Sequence, residues 1–175
     1  MANTFELIAS STVGSGGASS ITFSSIASTW TDLCLKFSAR NTTNPYSEAA
    51  IYYAIGFNGQ GVLTNVTGKM LAGNGTSTFS LNTPADFNAV GYMTSSGATA
   101  STFHNAELYV PNYAGSSNKS FSLDSVSENN GTQAVATIFA GLWSQTAAIT
   151  SITFTSRNGD FAQYSTAYLY GVKNA

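Results

Sequence analysis

The feature that most constrains this chain is a period-two alternation of apolar residues, which recurs from one end to the other. Leu33, Leu35, Phe37 and Ala39 fall on one side of a run whose other side carries Asp32, Lys36, Ser38 and Arg40. Phe5 and Leu7, then Ile21 and Phe23, then Ile51, Tyr53, Ile55 and Phe57 repeat the pattern. So do Ala106, Leu108 and Val110; Phe121 and Leu123; Ala134, Ala136, Ile138 and Ala140; Ile152 and Phe154; and Ala167 and Leu169. Side chains two apart share a face on a strand and not on a helix. The Thr, Tyr, Phe and Ile that fill these runs suit a pleated surface. No segment carries a sustained i, i+3, i+4, i+7 apolar stripe with a cap ahead of it, so little helix is expected.

Turn chemistry punctuates the runs. Gly14-Ser15-Gly16-Gly17, Asn58-Gly59-Gln60-Gly61, Gly73-Asn74-Gly75, Asn129-Asn130-Gly131 and Asn158-Gly159-Asp160 supply residues that accept positive φ. Pro45, Pro84 and Pro111 fall at segment ends. Short strands at this spacing predict a single antiparallel β-sandwich, jelly-roll-like, of about eight to ten strands. It fills residues 1–175 as one domain, with no linker and no exact repeat.

Only 8% of the residues are charged although 43% are hydrophobic, against about 25% charged in an ordinary soluble domain. Disorder combines low hydrophobicity with high net charge, so this chain folds under a surface of Ser, Thr, Asn and Gly. The formal net charge is −2, and Lys36, Arg40, Lys69, Lys119, Arg157 and Lys173 are scattered. Clustered cations are what nucleic acids and anionic membranes require, so neither is an expected partner. Residues 1–10 lack the basic start and apolar run of a signal peptide, and no apolar stretch is long enough to span a bilayer. The expectation is a chain made in the cytosol that stays there or leaves as part of something larger.

The sequence is poor in groups that do chemistry. Cys34 is the one cysteine and His104 the one histidine, so neither a zinc site nor a triad has its members. Cys34 reads as a small strand residue and His104 as a locally bonded one. The carboxylates are Glu6, Asp32, Glu48, Asp86, Glu107, Asp124, Glu128 and Asp160. Asp124 and Glu128 form the densest pair; it reads as a loop-bonding pair, with calcium binding as the alternative. The glycines at 14–17 lack the Gly-Lys-Ser/Thr ending of a phosphate loop. Asn-x-Ser/Thr triplets at Asn41, Asn65, Asn74, Asn118 and Asn130 are what so polar a chain produces by chance. No enzyme activity, cofactor or metal is expected.

Two late segments are apolar on both faces. Val135, Phe139 and Trp143 oppose Ala136, Ile138 and Ala140, and Tyr168, Tyr170 and Val172 oppose Ala167 and Leu169. An antiparallel strand with one wet face is polar on that face, so these strands are either buried between layers or turn an outer face to a partner, and a contact surface between subunits is the favoured expectation. The residues expected to form it are Phe139, Trp143, Tyr168 and Tyr170.

Phe5-Glu6-Leu7-Ile8-Ala9-Ser10-Ser11-Thr12-Val13-Gly14-Ser15-Gly16-Gly17, followed by Ile21-Thr22-Phe23-Ser24-Ser25-Ile26, resembles the start of small structural proteins of tailed bacteriophages. Gln163-Tyr164-Ser165 with Ala167-Tyr168-Leu169-Tyr170-Gly171-Val172-Lys173-Asn174 resembles their ending. Asn105-Ala106-Glu107-Leu108-Tyr109-Val110-Pro111-Asn112-Tyr113 and Ala140-Gly141-Leu142-Trp143 fit the same family. The resemblance implies a place on the outside of a virion and transfers no functional residues. It leaves two placements open. One is a capsid decoration protein, a homo-oligomer such as a trimer that contacts the major capsid protein. The other is a tail or head fibre domain that grips host-surface glycan.

Overall fold

The structure is a computed structural model and describes residues 4–43, 51–84, 89–128, 130 and 134–173. Pro45, Glu48, Asp86, Asn129 and Gly131 lie outside the described residues. Twelve strands form among the described residues: β1 (Phe5–Thr12), β2 (Ser20–Phe23), β3 (Asp32–Ala39), β4 (Ile51–Phe57), β5 (Val66–Gly73) and β6 (Thr78–Thr83). The remainder are β7 (Gly91–Met93), β8 (His104–Val110), β9 (Lys119–Ser127), β10 (Val135–Trp143), β11 (Ile152–Ser156) and β12 (Thr166–Val172). No helix occurs among the described residues. The expected all-β sandwich is the observed fold, with more strands than expected.

An eight-stranded antiparallel sheet runs β1-β12-β3-β8-β9-β10-β5-β6, and a four-stranded one runs β2-β11-β4-β7. The chain alternates between them. β1 pairs with β12 while β2 pairs with β11; β3 then pairs with β12 and β8 while β4 pairs with β11 and β7. This nested wrapping is the jelly-roll element of the topology.

The turn residues act as their chemistry demands. Asn58 and Gly59 hold φ of 54° and 67°, and the Gln60 N–H closes the turn on the Phe57 carbonyl at 3.0 Å. At the β5–β6 tip, Asn74 Oδ1 accepts from the N–H groups of Thr76 and Ser77.

The core lies between the sheets. Leu33, Leu35 and Phe37 of β3, Tyr53, Ile55 and Phe57 of β4, Phe121 and Leu123 of β9, and Phe139 and Trp143 of β10 are all buried there. Rings replace missing side chains at several inner positions. A Cβ on Gly141 would land on the Phe121 ring, one on Gly68 on the Phe139 ring, and one on Gly171 on Trp30. Gly141 faces both Phe121 and Gly68 in register, and Phe121 stacks on Phe139 at 5.9 Å. Glycine weakens a strand interior; here a ring laid over it restores the lost contact.

Two cations tie loops to this frame. Lys119 is buried, with Nζ donating to the Ser117 carbonyl at 2.5 Å and the Thr146 carbonyl at 3.1 Å, and lying 5.9 Å from the Trp143 ring. Arg40 sends Nη1 to the carbonyls of Thr99 and Thr102, each at 2.9 Å. Its Nη2 donates to the carbonyls of Ser96 at 3.0 Å and Ala98 at 2.9 Å. One guanidinium thus gathers the backbone of 96–102, a use of five fixed donors that an ammonium cannot copy. Arg40→Met is expected to speed amide exchange across 96–102 at least tenfold and to cost about 1–2 kcal/mol of stability. Unchanged protection in that loop, read by hydrogen–deuterium exchange, would contradict the role.

Candidate assembly face

The functional candidate grows out of strand alternation in the larger sheet. Every strand there turns one set of side chains to the core and the other to the outside, and the register lines the outside sets up in rows. One row crosses the whole sheet: Ser10, Tyr168, Lys36, Glu107, Asp124, Ile138, Leu71 and Ser80. A second runs Leu7, Tyr170, Cys34, Tyr109, Ser122, Ala140, Lys69 and Asn82.

Apolar groups concentrate at both sides of this outer face. Toward β1 and β12, Phe5 is 50% and Leu7 53% exposed, next to Tyr168 and Tyr170. Toward β9, β10 and β5, Ile138 is 63% and Leu71 56% exposed, joined by Val126 and Leu142. Among the described residues, Tyr164, in the segment between β11 and β12, is the one exposed large apolar side chain that lies off this face. Shallow grooves follow the relief. One of about 490 Å³ is lined by Leu71, Val126, Ala136 and Ile138, and one of about 630 Å³ by Thr67, Lys69, Asn82, Pro84 and Leu142.

The strip between the apolar groups is charged. Lys36 Nζ reaches Glu107 Oε2 at 2.7 Å, and Asp124 stands opposite Glu107 on the next strand. The bond to Glu107 holds the Lys36 ammonium above its ordinary pKa. Cys34 belongs to this face but is fully buried in it, between Tyr170 and Tyr109 in register. Burial pushes its thiol up to about 11, with the Glu107 charge adding to the effect, so it is not a reactive thiolate at neutral pH. Tyr109 Oη donates to Asp32 Oδ2 at 2.6 Å, a bond that pushes the phenol up to about 12. At the β1 margin, the Trp30 Nε1–H and the Lys173 ammonium both donate to Glu6 Oε2 and hold that carboxyl below the usual range.

The structure divides the four residues expected on a contact surface. Tyr168 and Tyr170 stand on the outer face, whereas Phe139 and Trp143 are 0% and 1% exposed and belong to the core. Trp143 packs on Phe57 at 5.4 Å and donates Nε1–H to Gln60 Oε1 at 3.2 Å. Both faces of β10 are apolar, but its bulky set fills the space between the sheets. The set turned outward is Ala136, Ile138, Ala140 and Leu142. The signal that separates them is size: an inter-sheet layer about 10 Å deep takes the aromatics. Leu71 and Val126 escaped the sequence because each is a lone apolar residue on its strand's polar side.

The remaining candidates are not brought together. His104 is fully buried at the end of β8, with Nδ1–H donating to the Ala39 carbonyl at 2.8 Å and its ring 5.1 Å from that of Phe37. Glu128 Oε1 accepts from the Asn130 N–H at 2.7 Å, the loop-bonding role read from sequence. Among the described residues, no group of three or more His, Cys, Asp or Glu side chains gathers. Comparisons with protein-family models, with curated proteins and with solved structures find no match to this chain.

Proposed function

We propose that this chain is a non-enzymatic structural protein on the exterior of a bacteriophage particle. In this reading it decorates the capsid, and the outer face of its larger sheet is the docking surface. The observation that carries the reading is the gathering of exposed apolar groups on one face: Phe5, Leu7, Leu71, Val126, Ile138, Leu142 and Tyr168. Monomeric soluble proteins rarely expose large contiguous apolar patches, and here two apolar groups flank a charged strip on a single face. Eight strands about 4.8 Å apart, each roughly 25 Å long, offer on the order of 900 Å², enough for one side of a standard interface at about 800 Å² per partner. Apolar wings around a charged strip suit a fixed register on capsid subunits, where added contact area opposes the outward pressure of packaged DNA.

A second reading, a fibre domain that binds host glycan, is favoured by the groove beside Lys69 and Asn82. It sets polar groups against the apolar floor of Ala140 and Leu142. The deciding experiment mixes the purified chain with phage heads stripped of it and images the product. Regular density on the head supports decoration; density confined to the tail or spikes moves the reading to the fibre. Tyr168→Ser with Tyr170→Ser, and separately Leu71→Asp with Ile138→Asp, are expected to weaken head binding at least tenfold each. Because all four positions lie on the outer face, the melting temperature should stay within a few degrees of wild type. Full binding by both double variants would remove the outer face from the account.

A further inference from the structure

The outer face of the larger sheet is built nearly symmetrically about β8. In the strand order β3 and β9 lie on either side of it, then β12 and β10, then β1 and β5. Along the row through Glu107 the chemistry of the two sides is opposite. The β3 side presents the cation Lys36 and then Tyr168, whereas the β9 side presents the anion Asp124 and then Ile138. Lys36 is bonded to Glu107 at 2.7 Å, but Asp124 is exposed and meets no cation among the described residues. The relief differs too. Exposed Phe5, Leu7 and Tyr168 stand on one wing, and the other holds the apolar groove of about 490 Å³ beside Leu71 and Ile138.

A face whose halves complement each other can be covered by a copy of itself. A second copy laid face down, related by a two-fold axis along β8, sets each strand over the strand equally far from β8 on the opposite side. Lys36 of one copy then stands over Asp124 of the other, Tyr168 over Ile138, and β1 with Leu7 over β5 with Leu71. Every such contact occurs twice, as an isologous interface requires. The two Glu107 carboxylates sit at the axis, each already bonded to its own Lys36. Twisted sheets pack face to face with their strands within about 30° of each other. The seven strands from β1 to β5 overlap in this arrangement. At about 4.8 Å apart and roughly 25 Å long they cover on the order of 800 Å² per copy, what a standard interface buries on each partner.

We propose that two copies of the free chain cover each other's outer faces in this way, as a homodimer with its axis along β8. The inference rests on the reading of the outer face as a docking surface and adds the occupant of that surface before docking. Pairing and docking compete for one face, so the dimer must open before a chain can sit on a head.

Sedimentation equilibrium of the full chain, up to about 100 µM, is the test, and it needs no phage heads. The expected species has twice the mass of 18.2 kDa. Lys36→Glu sets acid against acid at both contacts, and Asp124→Lys sets base against base. Each variant alone is expected to dimerise more weakly by roughly tenfold or more. Mixed in equal amounts, the two are expected to form a heterodimer close to wild type in affinity, because both contacts then pair opposite charges. Both positions are exposed, so circular dichroism should show the wild-type fold in each variant. A wild-type chain that stays monomeric overturns the proposal and leaves docking on heads standing. Dimers that persist unweakened in both variants, or a mixture that stays monomeric, overturn the pairing about β8. A chain that dimerises but fails to bind heads overturns the decoration reading alone.

Discussion

Gly141→Ala is expected to cost about 3 kcal/mol, at the upper end of what a single added methyl group does in a packed core. The new Cβ would occupy the place of the Phe121 ring. That ring cannot retreat freely, because it stacks on Phe139 at 5.9 Å and meets Phe57 edge-on at 5.6 Å. Phe139 in turn covers Gly68 on the neighbouring strand. One methyl group therefore presses on three rings that bridge the two sheets. In urea titrations the midpoint should fall with the slope unchanged. For a chain of this size the melting temperature should drop by roughly 10 °C. Shrinking the obstructing ring offers the internal check: Phe121→Leu should recover part of the loss in the double variant, a coupling that additive effects would not show. A cost below about 1 kcal/mol would mean that the rings yield more easily than their packing implies.

Acid is expected to weaken the fold well before the carboxylates titrate, through His104. Burial lowers the imidazole from 6.5 to about 4, while the bond from Nδ1–H to Ala39 opposes the shift only in part. Above pH 6.5 the ring is neutral in both folded and unfolded chains, so its contribution is complete. As pH falls below that value the unfolded chain takes up a proton that the folded chain refuses until about pH 4. Stability is lost across that window, by about 2 kcal/mol at pH 5 and about 3 kcal/mol near pH 4. Denaturant titrations between pH 7 and 4.5 would show the decline. His104→Asn, whose amide can reach the same carbonyl, should flatten it even if stability at pH 7 is lower. An equal decline in wild type and variant would assign the acid sensitivity elsewhere.

Much of the architecture was legible because strand and turn signals are local. Leu33 to Ala39 alternates without a break and becomes β3; Asn58-Gly59 and Asn74-Gly75 turn the chain where their φ preferences allow. β7 was not legible, since a three-residue strand carries too little alternation to read. The assembly candidates divide by the same physics. Tyr168 and Tyr170 could be placed because their opposite face, Ala167 and Leu169, is small and aliphatic and suits the core. On β10 both sets are apolar, and which one faces inward depends on β4 supplying Phe57 across the gap, a contact between residues 86 positions apart in the chain. The carbonyl cage around Arg40 was invisible for a related reason, since loop backbone recruited by a distant side chain leaves no motif.

The nesting of the sheets also governs the order in which the molecule can assemble. The β5–β6 and β8–β9 hairpins join neighbouring stretches of chain and can close within microseconds. β1 and β3 have no such option, because the strand that lies between them is β12, the last of the twelve. Until residues 166–172 arrive, one edge of β3 is left unpaired and Phe5 to Thr12 has nothing to pair with. Folding dominated by such distant pairings is slow, on the order of milliseconds to seconds. During synthesis the chain must therefore wait, half-built and adhesive, for its closing strand to leave the ribosome.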